Sequence, residues 1–85
     1  MYKRVRIIDK VDCQTICVGM LIHIIPAYSL LSEDDAKKYY QTDEGNKYYR
    51  GFFKPHKLDR YVVQRDNGYN MVIPVGKRFE VREEE

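Results

Sequence analysis

Two cysteines and two histidines are the strongest ligands and nucleophiles in this 85-residue chain. Cys13 and Cys17 leave a C-x-x-x-C spacing. Structural zinc sites use C-x2-C or C-x4-C pairs joined by a second close pair. His23 and His56 are far apart and supply no such pair. A nucleophilic thiol needs a base and an electropositive setting beside it, which neither distant histidine offers locally. The spacing predicts two small apolar residues near a strand start, with Cys17 buried. Glu33, Asp34 and Asp35 are adjacent carboxylates, the pattern of a helix N-terminus. His56, Lys57 and Asp59 are residue types a nuclease could use, but three neighbours in sequence do not make a site. There is no G-x-S-x-G, no G-x-x-x-x-G-K-[ST] and no G-x-G-x-x-G, so neither a nucleophile elbow nor a phosphate cradle is encoded. Trp is absent, which disfavours a groove for proline-rich peptides. The expectation is a non-enzymatic protein with no cofactor and no metal.

The remaining chemistry is concentrated in one stretch. Residues 37–57 hold Lys37, Lys38, Lys47, Arg50, Lys54 and Lys57 against only Asp43 and Glu44. Tyr39, Tyr40, Tyr48, Tyr49, Phe52 and Phe53 are interleaved with them. Cations that track phosphates release counterions, and aromatic faces accept unstacked bases. RNA is a natural target because its loops and single strands expose base faces. The candidate nucleic-acid-binding set is Lys37, Lys38, Tyr40, Lys47, Tyr48, Tyr49, Arg50, Lys54 and Lys57. Lys3, Arg4 and Arg6 extend it if the first strand lies beside this stretch. A competing reading packs one Tyr of each pair, and one of Phe52 and Phe53, into the core, because neighbours on a strand point to opposite faces.

Several elements must position these residues. Val5–Asp9 begins with the apolar alternation of a half-buried strand, and residues 10–12 read as a turn. Met20–Ile25 is rich in β-branched residues and is stopped by Pro26. Both of its faces are apolar, which predicts a central strand. Ser32 suits a helix N-cap, and Leu31 and Ala36 occupy the two positions of a hydrophobic staple. The short helix should end before Gly45. Residues 47–54 are strand-prone, and 59–65 and 69–73 read as two strands. Asp66-Asn67-Gly68 joins that pair as a tight hairpin, with Asn and Gly expected at positive φ. Pro74-Val75-Gly76-Lys77 reads as a turn before a last strand, 78–82. The chain is long enough for one domain. Its longest apolar run, 18–25, is too short for a membrane span, and no signal-peptide pattern follows Met1. A soluble, cytoplasmic protein is expected.

The framework Val5 to Ile25, then Tyr61 to Val81, resembles the small SH3-like barrel proteins of bacteriophages. The matching residues are Val18-Gly19, Asp66-Asn67-Gly68 and Pro74 through Val81. The resemblance implies a mainly β fold: a small five-stranded antiparallel SH3-like barrel with one short inserted helix, residues 1–85 forming one domain. The plain barrels join the second and third strands by a few residues, whereas here 27–58 intervenes. Function is expected on that insertion. The resemblance also implies a setting, an RNA-binding phage protein that antagonises a host defence factor such as a toxin ribonuclease. The alternative is a docking module that inhibits a host protein directly, without nucleic acid. An open barrel edge or the insertion could mediate a homodimer.

Overall fold

The computed structural model describes residues 3–39 and 54–84, with the backbone alone at 37–39. It is mainly β. Strands β1 (Lys3–Asp9) and β2 (Gln14–Ile25) are followed by helix α1 (Glu33–Tyr39), then β3 (Arg60–Arg65), β4 (Asn70–Pro74) and β5 (Phe79–Glu83). All five strands are antiparallel in one sheet of order β4-β3-β2-β1-β5. The apolar run expected to be central is the second half of β2, and β2 does stand in the middle.

At 12 residues, β2 is the longest strand among the described residues. Its first part pairs with β1, and from Gly19 onward it pairs with β3. The β1–β2 register shifts between Ile7 and Ile8, and the β2–β3 register shifts between Leu21 and His23. Such irregularities bend a strand and increase its twist, so one strand serves two halves of a curled sheet. At Gly19 the backbone of β3 comes so close that a Cβ would stand inside the Gln64 carbonyl, which is why glycine occupies this strand interior.

The alternation of β1 turns Val5 and Ile7 inward, and both are buried. They join Cys17, Val63 and Ile73, with Leu21, Tyr61, Met71, Phe79 and Val81 packed around them. All five strands, including the two at opposite ends of the sheet, therefore line one core. Among the described residues no ladder joins β4 to β5, so the expected barrel is seen as a curled five-stranded sheet. A second cluster lies on the other face, where Val62 meets Ile25, Leu31 and Ala36, with Ile22 and Val72.

The helix begins as its sequence dictates. The Asp35 amide donates to Ser32 Oγ at 3.1 Å, and the Ala36 amide donates to the Ser32 carbonyl at 2.8 Å. Leu31 and Ala36 are both buried in the outer cluster, as a staple requires. Glu33, Asp34 and Asp35 fill the first turn.

Two local expectations are corrected. In the β3–β4 hairpin only Gly68 takes a positive φ, +88°. Asn67 instead accepts the Tyr69 amide on its side-chain oxygen at 3.0 Å. The Arg65 amide donates to the Tyr69 carbonyl and the Gly68 amide to the Arg65 carbonyl, each at 2.9 Å. This is a three-residue loop with glycine in the left-handed position rather than a two-residue turn. Cys13 is not an apolar packing residue: it is exposed in the β1–β2 turn at φ +61°. Cys17 is buried as expected, and that burial pushes its thiol pKa up.

Candidate nucleic-acid interface

The insertion leaves the sheet through a stem built by residues 26–31 and 54–60. Pro26 ends β2. The Ser29 amide donates back to the Pro26 carbonyl at 3.0 Å, and Tyr28, third in this turn, has φ +63°. That is the pattern of a type II turn, whose third residue is ordinarily Gly or Asn. A tyrosine there is strained, because its Cβ crowds the backbone. The residue is 73% exposed, so core packing does not account for the strain.

Non-local bonds hold this turn. The Tyr28 amide donates to the His56 carbonyl at 2.7 Å. The Ala27 amide donates to Asp59 Oδ1 at 2.8 Å, and the Leu58 amide to His56 Nδ1 at 3.0 Å. Arg60, only 5% exposed, donates Nη2 to the Ser29 carbonyl at 2.7 Å and Nη1 to the Lys54 carbonyl at 3.1 Å. One guanidinium thus clamps both sides of the stem, and burial lowers its pKa. His56 and Asp59, which sequence alone left as candidate chemistry, are committed at these atoms to holding backbone amides.

The candidate residues that the structure describes fall into three groups. Lys54 and Lys57 are exposed on the stem, with no carboxylate partner among the described residues. They flank His56, whose carbonyl holds Tyr28. Lys37 and Lys38 lie on α1, with only their backbone described. Tyr40, Lys47, Tyr48, Tyr49 and Arg50 lie outside the described residues, as do Tyr2 and all of the strand expected over 47–54 except Lys54, which is in a bend.

The third group, on β1, is present but engaged. Lys3 Nζ meets Glu83 at 2.9 Å. Arg4 forks onto both oxygens of Asp66 at 3.3 Å. Arg6 Nε meets Glu84 at 2.6 Å. The hydrogen bonds and charges of these partners raise the pKa values of Lys3 and Arg4, and Arg4 holds Asp66 below the usual carboxylate range. Sequence reasoning missed the acids because they come from the hairpin and the last residues.

It also missed Tyr28, the most exposed aromatic ring among the described residues. Only its place two residues after a strand-ending proline could have pointed to a turn. Leu30 beside it is 52% exposed. A separate cleft of about 540 Å³ opens between β1, β2, β3 and β5. Leu21, Ile24, Tyr61 and Val81 line it, with Lys3 and Glu83 facing each other at its edge. Among the described residues no three His, Cys, Asp or Glu side chains gather as a metal site. No helix there is long and apolar enough to cross a membrane. No protein-family model, curated protein or solved structure matches the chain.

Proposed function

We propose that this protein is a non-enzymatic RNA-binding module whose contact surface is the insertion, presented by its stem. One observation carries the reading: Tyr28 is held exposed in a left-handed turn, hydrogen-bonded to the residue between Lys54 and Lys57. An exposed ring suits base stacking, and Lys54 and Lys57, without a carboxylate partner among the described residues, suit a phosphate backbone. Lys37, Lys38, Tyr40, Lys47, Tyr48, Tyr49 and Arg50 complete the surface in this reading. Its setting comes from the SH3-like resemblance alone: a phage-encoded cytoplasmic protein antagonising a host defence factor such as a toxin ribonuclease.

A mobility shift with mixed-sequence single-stranded RNA at two salt concentrations tests it. Salt-sensitive binding is expected. Charge reversal at Lys47, Arg50 and Lys54 together should abolish it while the chain stays folded. Retained affinity in that triple variant refutes the site.

Leu30 favours a second reading. An exposed leucine next to an exposed tyrosine suits a protein-docking surface, since aromatic anchors dominate such interfaces. A single partner retained after ribonuclease treatment, together with no RNA shift in low salt, would decide for docking.

A further inference from the structure

The sheet carries a cluster of exposed arginines besides the cations of the stem. On β1, Val5 and Ile7 face the core, so Arg4 and Arg6 face outward. Across the ladder Arg6 is directly opposite Arg82 of β5, a like-charge placement that costs stability. Arg4 and Arg6 repeat at the two-residue interval of a strand, about 6.8 Å, close to the spacing of consecutive phosphates on an extended single strand. All three arginines are exposed. Arg4 pairs with Met20, and Met20 with Gln64. Gln64 shares its face with Val62, which packs under α1. The arginines therefore lie on the sheet face that α1 covers, and α1 leads into the insertion.

Carboxylates stand where phosphates would bind. Glu84, just beyond β5, donates its amide to the Arg4 carbonyl at 2.9 Å and places Oε1 2.6 Å from Arg6 Nε. Arg6 also reaches the Thr15 hydroxyl at 3.5 Å. Asp66 and Glu80 meet Arg4 and Arg82 at the longer distances of 3.3 and 3.4 Å. Exposed pairs of this kind are weak and exchangeable.

We propose that Arg4, Arg6 and Arg82 form a second phosphate-binding contact for single-stranded RNA, and that Glu84 occupies it as a built-in competitor. The proposal rests on the RNA-binding reading above. It assigns to the last residues of the sheet a role in setting affinity.

The test is a double-mutant cycle between Glu84→Gln and Arg6→Gln, read as affinity for mixed-sequence single-stranded RNA across a salt series. Glu84→Gln should tighten binding about two- to fivefold, the range that an exposed ion pair can withhold. It should also steepen the salt dependence by about 0.7 in log–log slope, one phosphate contact on a single strand. Arg6→Gln should weaken binding and cancel the effect of Glu84→Gln. Equal tightening in both backgrounds would mean that only net charge matters, and would overturn the proposal. So would an unchanged affinity and slope in Glu84→Gln. In both cases the stem surface would still stand, because RNA binding is present. Failure of both the wild type and Glu84→Gln to bind would overturn the RNA reading itself.

Discussion

Two of the described turns that place a residue in the left-handed region treat it in opposite ways. In the β3–β4 hairpin the residue is Gly68, which has no Cβ to crowd. The Asn67 side chain adds a hydrogen bond, and the loop is satisfied locally. In the 26–29 turn the residue is Tyr28, which is strained there and holds its conformation through the carbonyl of His56, distant in sequence. The hairpin is composed for stability. The stem turn maintains a costly residue whose ring is turned toward solvent. Strain at an exposed ring serves no core packing, a contrast on which the proposed RNA contact draws.

The sharpest break in this comparison lies elsewhere in the sheet, at Gly19. A Cβ there would meet backbone, which cannot move aside. Gly19→Ala should therefore cost about 3 kcal/mol, the upper end for overpacking, in urea unfolding. A loss below that of a surface substitution would show that β3 can shift away. Next comes the clamp. Arg60→Ala removes two charge-assisted bonds to stem carbonyls and should cost about 2 kcal/mol. Amide exchange at Ala27 and Tyr28 should accelerate more than at Val63, because the damage is to the stem.

The two turns themselves predict opposite signs. Gly68→Ala meets no atom within 4 Å, so only the φ penalty acts, and stability should fall by about 1 kcal/mol. Tyr28→Gly should raise stability by about the same amount, while RNA affinity drops by the loss of one stacked base. If Tyr28→Gly destabilises the fold instead, the ring is structural and the contrast between the turns collapses.

The smallest effect is a pH dependence. Asp9 is buried, accepts Arg78 Nε and Nη2 at 3.1 and 3.0 Å, and accepts the Val11 amide at 2.9 Å. Arg78 first, then the Val11 amide, holds its carboxyl below the usual aspartate range. The folded pKa is thus lower than the unfolded one. The stabilisation is complete above the ordinary aspartate pKa and is lost as pH falls through the depressed value. Acid unfolding of Arg78→Gln should start at higher pH than that of the wild type.

Much of the fold is written in local signals. Ser32, Leu31 and Ala36 start the helix through atoms within five residues of one another, and Pro26 stops β2 as its chemistry requires. Val5 and Ile7 announce the inward face of β1 by alternation. Gly68 marks a hairpin, although Asn67 acts there by side-chain acceptance rather than by positive φ. The site was less legible. Tyr28 carries no residue-type signal for a left-handed turn, because its φ is imposed by His56 and Asp59, about thirty residues away. Arg60 reads as a surface cation at the start of a strand, and only the return of the insertion buries it. The acids facing Lys3, Arg4 and Arg6 come from the β3–β4 hairpin and from the last residues, which no window around β1 contains.

The β1–β5 ladder joins residues separated by most of the chain, Val5 with Glu83 and Ile7 with Val81. During synthesis, β1 and β2 emerge early and can form their hairpin at once. The outer edge of β1 must then wait for every intervening residue, insertion included, before β5 arrives to cover it. Long-range pairing of this kind slows folding, and an uncovered strand edge invites other chains. For that interval Lys3, Arg4 and Arg6, not yet matched by Glu83, Asp66 and Glu84, give the nascent edge the like charge by which strand edges repel one another.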